Sequence, residues 1–461
     1  MPAKSAPTKY ALDWSALART TLAAFAVLAV AGCASSPAAP SAPTGTADPT
    51  STEESVPHGY VEGASEETEP QLQIATVDAA GSLTLLDLLS EDSAEIATLD
   101  GTTALSTDGR YLFASAATAG ELAIIDSGTW TVDHEDHSHY YRATAKEVGT
   151  IDGEGDAAVL TAGTITTVFF AESGQGIVLD HEALGDGEIV ELGTIDGIPH
   201  EGALVPFAGS VIATEASAGT SADTEASPDD VGTVTSLQVY SPDGELNDSA
   251  SAAAKCTGFA GTITTNVGAV FGCDDGAVLA TVADDDTIVF ERIPYPAGTI
   301  DAAGTTAASA FAGRPGRPTV AAIAGTTGAW LLDTRERTWT LLPTEVPLLR
   351  VVAADDREGN VVALATDGRI LVLDPETGAT VAATEPLLAA TIAASASATA
   401  SASAAGRSLL DGVTLTVDAS RAYVNAVAEG AVYEIDYADG ARIARTFEAP
   451  DIPLYMAETG H

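Results

Sequence analysis

Three of the seven histidines in this chain fall within six positions, in Asp133-His134-Glu135-Asp136-His137-Ser138-His139-Tyr140-Tyr141. Imidazole nitrogen suits zinc and its neighbours among the first-row metals, and interleaved carboxylates add oxygen donors and hydrogen-bond acceptors. In an extended strand, residues two apart share a face, so His137 and His139 point the same way and a loop brings His134 round to them. His134, His137 and His139 are therefore candidate metal ligands, with Asp133 and Asp136 as oxygen donors. The competing reading is a solvated acidic loop; clustered histidines weigh towards metal. His200, in Pro199-His200-Glu201-Gly202, is either a further ligand or a core histidine opening the strand Ala203 to Phe207. His181 reads as a turn residue after a strand-ending aspartate, and His461 as exposed.

The elements that position these residues come from a loose repeat. Its unit is an alternating apolar strand, a tight Gly or Asp-Gly turn, and then Gly-x-Φ-x-Φ-Φ-Asp, where Φ is apolar. Copies run from Gly81 to Asp87, Gly120 to Asp126, Gly174 to Asp180, Gly328 to Asp333, Gly368 to Asp374 and Gly430 to Asp436. Weaker copies lie at Ser236 to Tyr240 and Gly276 to Val282. A period near 40 residues, built from short strands and turns, is the signature of propeller blades. The fold class expected is all-β, a WD40/YVTN-like β-propeller over residues 71–461. Eight copies imply eight blades, or seven if the first and last copies complete one blade between them. Ala/Ser/Thr-rich insertions near 215–232 and 390–406 should be surface excursions. In this register the histidine stretch is an enlarged hairpin loop between a strand ending at Asp126 and an outer strand from Lys146 to Ile151.

Lys4, Lys9 and Arg19 precede an apolar run from Thr20 to Ala31, followed by Val30-Ala31-Gly32-Cys33. A basic segment before a short apolar one is an export signal, and small residues before a cysteine resemble a bacterial lipobox. Residues 1–32 are then a lipoprotein signal peptide, with Cys33 lipidated and anchoring the chain to the outer face of the cell membrane. Residues 33–70 carry Ala, Ser, Pro, Thr and Glu with few large apolar side chains, and read as a disordered tether. Cys256 and Cys273 remain, an even pair in an exported chain, and a disulfide is the reading for an oxidising compartment. Closing the loop between them contributes roughly 3 kcal/mol in the chain-entropy model.

The formal net charge is −47, from 66 acidic and 19 basic residues, which excludes a nucleic-acid binder for want of a basic footprint. There is no Gly-x-Ser-x-Gly elbow, no phosphate-cradling Gly-x-x-x-x-Gly-Lys and no His-Glu-x-x-His. The adjacent acids Asp274 and Asp275 fit a hairpin turn with Gly276 better than an acid/base pair. The expectation is that the chain is not an enzyme. A non-metal interaction scaffold is the second reading, and a secreted lactonase or lyase the third, because the propeller hosts unrelated functions.

The combination resembles the extracytoplasmic zinc metallochaperones of the AztD type. The matching islands are the histidine stretch, Pro199-His200-Glu201-Gly202-Ala203-Leu204-Val205-Pro206, Phe271-Gly272-Cys273-Asp274-Asp275-Gly276, and Leu454-Tyr455-Met456-Ala457-Glu458-Thr459-Gly460. The resemblance implies a propeller, expected as a monomer, that holds Zn²⁺ and passes it to the solute-binding protein of a zinc ABC importer. The family pattern also implies a histidine shortly after the first paired cysteine. Here the run is Cys256-Thr257-Gly258-Phe259-Ala260-Gly261, without one.

Overall fold

Seven of the eight repeat copies start with glycine and six end with aspartate, and the computed structural model shows why. It describes residues 59–134, 137–217, 232–247, 253–300, 304–400, 408–449 and 452–461. The signal peptide, Cys33, the first part of the tether, Asp136 and most of the 215–232 insertion lie outside them. Each copy forms the third strand of a four-stranded antiparallel sheet. The leading glycine makes the turn from the second strand at positive φ, as at Gly81 (φ 82°), where a Cβ would stand 2.5 Å from the Leu99 carbonyl oxygen. The closing aspartate accepts hydrogen bonds from the next turn. Asp87 takes the amides of Leu89 (2.8 Å) and Ser90 (3.0 Å), and Asp333 those of Arg335 (2.8 Å) and Glu336 (2.9 Å).

Eight such sheets follow one another among the described residues. Seven take their four strands from one continuous stretch each. The sheet holding the first repeat copy is different, because its first position is filled by Tyr455–Thr459, which pairs with Gln73–Val77 (Gln73 opposite Thr459, Val77 opposite Tyr455). The first and last parts of the chain thus share a sheet, and the last repeat copy still has a sheet of its own. The apolar clusters lie between successive sheets. Leu85 and Leu112 belong to one, Ile124 and Val168 to the next, and Tyr423 and Met456 join the eighth sheet to the first. The series closes on itself. The molecule is a β-propeller.

Cys256, just beyond the outer strand of the fourth sheet, is disulfide-bonded to Cys273, which ends the second strand of the fifth, at a Cα–Cα distance of 5.4 Å. Asp274 and Asp275 form the two-residue turn that follows, with Cys273 paired to Gly276.

Two sequence expectations need correction, and one surface excursion is more regular than its composition suggests. The tether does not run to residue 70: Ser65–Glu67 is a strand, paired with Ser138–Arg142. Low apolar content hid it because its hydrogen bonds come from a distant edge. The 390–406 insertion starts as a helix, Ala389–Ala400. Alanine is the best helix former, and Glu429 accepts from the first-turn amides of Ala390 (2.7 Å) and Thr391 (3.3 Å). His181 is not in a simple turn but opens the helix His181–Asp186, which Asp180 caps.

The closing strand buries a carboxyl group. Glu458 is 3 % exposed and its Oε1 has no hydrogen-bond partner. Burial, with the Asp418 carboxylate nearby, pushes it up to about 8 from the usual 4.5. A carboxyl raised in the folded state stabilises the fold below the unfolded value, and that contribution is lost as pH climbs through the folded one. Replacing Glu458 with Gln should therefore raise the melting temperature over wild type by roughly 2–5 °C more at pH 8.5 than at pH 5. Calorimetry at the two pH values checks this; an equal difference at both would contradict it.

Candidate metal centre on an inserted hairpin

Between the third strand of the second sheet, Glu121–Asp126, and its fourth, Lys146–Asp152, the chain makes an extra hairpin from Thr129–Asp133 and Ser138–Arg142. The sequence reading of an enlarged loop at this place matches the structure. Trp130 faces Tyr141 and Val132 faces His139, and the His134 amide donates to the His137 carbonyl at 2.9 Å to close the turn.

The hairpin is anchored from both ends. Gly128 (φ 77°) leaves the blade strand, its amide held by Asp126 Oδ1 at 2.9 Å. Asp126 also takes a two-pronged ion pair from Arg110 (3.1 and 2.7 Å), whose guanidinium lies 3.8 Å from the centroid of the Trp130 ring. Trp130 stacks on Tyr141, and its indole N–H donates to the Gly59 carbonyl at 3.1 Å. Arg142 binds Gln71 (2.8 Å) and Asp87 (2.5 Å), and the Thr131 hydroxyl donates to the Gly460 carbonyl (2.8 Å). A loop whose base is held this way presents its tip without needing the tip to be rigid.

At that tip the ligand atoms of His134, His137 and His139 all lie within 4.8 Å of one another. His137 Nε2 and His139 Nε2 are 3.2 Å apart. Zn–N bonds of about 2.0–2.1 Å in a tetrahedron set two nitrogens roughly 3.3–3.4 Å apart. That pair already stands at the spacing a shared zinc requires, and the third imidazole needs only a small approach. Three imidazoles leave a fourth position for water or an incoming ligand, the arrangement of an exchangeable rather than a closed site. His137 is exposed and the other two half-buried.

The remaining predicted ligands fall elsewhere. Asp133, opposite Ser138 at the base of the turn, accepts from its hydroxyl at 3.5 Å and lies outside the 4.8 Å group. Asp136 lies outside the described residues. His200 does not join the loop. It is 2 % exposed, packs on Phe169 at a ring distance of 4.8 Å, and spends both ring nitrogens inside the fold. Nδ1 donates to the Ile198 carbonyl at 2.7 Å, which leaves Nε2 to accept from the Thr214 hydroxyl at 2.9 Å. The topology also separates them. His200 precedes the first strand of its sheet, whereas the hairpin follows a third strand; first and third strands run parallel, so the two positions are at opposite ends of the ring.

One residue that sequence reasoning assigned to the tether sits in the site. Glu66, on the strand Ser65–Glu67, is paired opposite Tyr141. His139 is two residues back on the same face, and the diagonal neighbour is within reach: Glu66 Oε1 accepts from His139 Nδ1 at 2.7 Å. Neither alternation nor a motif marks Glu66 in the sequence, since its strand exists only because the hairpin offers an edge.

No protein-family model and no curated protein sequence matches the chain. Among solved structures it is similar to AztD from Citrobacter koseri, with a TM-score of 0.65 and 17 % identity over 85 % of this chain and 98 % of that one. The apo form of AztD from the same organism gives 0.64 and 18 %, over 85 % and 97 %. The likeness is one of fold. At this identity the side chains of the site stand on their own geometry.

The two histidine positions make separable predictions. His200→Ala should leave bound zinc per molecule unchanged while lowering stability by about 1–3 kcal/mol, because Thr214 and the Ile198 carbonyl lose a buried partner. Metal analysis together with denaturant melting checks both, and loss of a zinc equivalent would return His200 to the ligand set.

Proposed function

We propose that this protein is an extracytoplasmic zinc metallochaperone that binds Zn²⁺ on His134, His137 and His139 and delivers it to the solute-binding protein of a zinc ABC importer. The observation that carries the reading is the convergence of three imidazoles on one inserted hairpin beside solvent, with the His137–His139 pair already at tetrahedral spacing. The fold likeness to AztD and the sequence islands that resemble AztD-type chaperones support it. Lipidation at Cys33 would keep the propeller at the outer face of the membrane, within reach of an importer. The strong negative charge favours the local accumulation of cations.

The way the hairpin is built supports delivery. His137, the exposed ligand, is the first that a competing donor can replace, and the open fourth position admits that donor before any bond has broken. Each exchange then swaps one donor for another and no free aquo ion forms. The anchoring at Asp126, Trp130 and Arg142 stays in place while the tip changes partners, so opening costs local rather than global free energy.

Replacing His134, His137 and His139 together with Ala should remove one zinc equivalent and leave the propeller's melting within about 1 kcal/mol of wild type, since loop-tip substitutions seldom disturb a core. Unchanged stoichiometry would refute the assignment. Zinc should also reach the apo solute-binding protein faster than it reaches a chelator that reports spontaneous dissociation. His137→Ala alone should slow that step. Equal rates to protein and chelator would leave simple buffering in place of delivery.

A further inference from the structure

The geometry points to Glu66 as the residue that positions His139 for metal, from a stretch of chain outside the propeller ring. This rests on the reading of the hairpin as a zinc site and adds to it the group that selects which nitrogen of His139 binds.

A histidine can offer a metal only the nitrogen that carries no proton, and the hydrogen bond made by the other nitrogen decides which that is. Glu66 Oε1 stands 2.7 Å from His139 Nδ1. A carboxylate only accepts, so the proton stays on Nδ1 and the lone pair is left on Nε2. That is the nitrogen 3.2 Å from His137 Nε2, on the side where the three imidazoles converge. The ring plane is fixed at the same time, with His139 lying near-parallel to Tyr141 (19°, centroids 6.3 Å apart). Tyr141 is fully buried beneath Trp130.

The backbone holds Glu66 where this requires. Ser65 is paired with Arg142, Glu66 with Tyr141 and Glu67 with Tyr140. The next residues are held as well, because Gln71 accepts from Arg142 at 2.8 Å. The pair cannot be explained as a source of stability. Side-chain exposure is 24 % for His139 and 44 % for Glu66, and ion pairs this open contribute little to folding. A short, directed hydrogen bond of small stabilising value at the His139 ring nitrogen opposite the one that meets His137 is what an orienting carboxylate looks like.

The test uses the full chain and begins without metal. Long-range ¹H–¹⁵N correlation of the imidazoles should show His139 in the Nδ1–H tautomer in wild type, and mostly Nε2–H in Glu66→Ala. Competitive zinc titration should show Glu66→Ala weakened by about 10–100-fold. Glu66→Gln, which preserves size and strand pairing, should fall between it and wild type, and Glu66→Asp should recover part of the loss. Affinities within twofold of wild type in both the Ala and Gln variants would overturn the proposal. So would a loss of affinity with no change of tautomer, since that is the mark of a purely structural contact. The triple histidine variant separates this failure from that of the site itself: if it keeps its zinc, the hairpin is not the site, whatever Glu66 does.

Discussion

Everything in this molecule depends on one antiparallel pairing, Tyr455–Thr459 against Gln73–Val77. Each propeller sheet has two faces and buries both against its neighbours, so an open series would leave two apolar faces in water. Supplying the first strand of the first sheet from the far end of the chain removes that cost, and Met456 and Ala457 fill the clusters on either side of the sheet. The same strand carries Glu458 into the interior, a polar expense at the position where the ring closes. Its continuation, Gly460, gives its carbonyl to Thr131 and so ties the closure to the base of the histidine hairpin.

Placing the three clustered histidines on an inserted hairpin separates two demands that conflict. Ring stability needs regular strands with both faces packed, whereas metal exchange needs ligands that can move. The second sheet keeps its four strands paired, with a register shift between Glu147 and Gly149 in the strand that follows the hairpin. Arg110 and Asp126 brace the point of departure, and the departure itself requires a left-handed Gly128, where a Cβ would stand 2.5 Å from the Ala143 carbonyl oxygen. The short helix His181–Asp186 occupies the corresponding position in the third sheet, after the third strand. Elaboration of this connection is how neighbouring sheets of one regular ring come to differ at the same end.

Much of this was legible in the sequence, for reasons that are local. The glycine and aspartate bracketing six of the eight third strands do their work within a few residues, in a left-handed turn and a side-chain cap, and so they leave a periodic trace. The histidine stretch was legible because its spacing is itself the chemistry. What escaped depends on distant partners. Ser65–Glu67 has no alternation of its own and becomes a strand only against Ser138–Arg142. Nothing near His200 in the chain announces Thr214, whose hydroxyl settles that histidine's role within the core. The run from Ala389 reads as low complexity because alanine and serine carry no pattern, yet alanine propensity and a cap from Glu429 are enough to wind it.

The strand Ser65–Glu67 also has a mechanical meaning. It is the outer strand of the three-stranded sheet it forms with the hairpin and is no part of any propeller sheet, so tension that passes the Gly59 carbonyl, held by the Trp130 indole, falls next on three paired residues. Those residues include the carboxylate that orders His139. A pull too weak to disturb a single blade would act on the histidine tip, so the spacing of the three imidazoles is a quantity that force, as well as chemistry, can set.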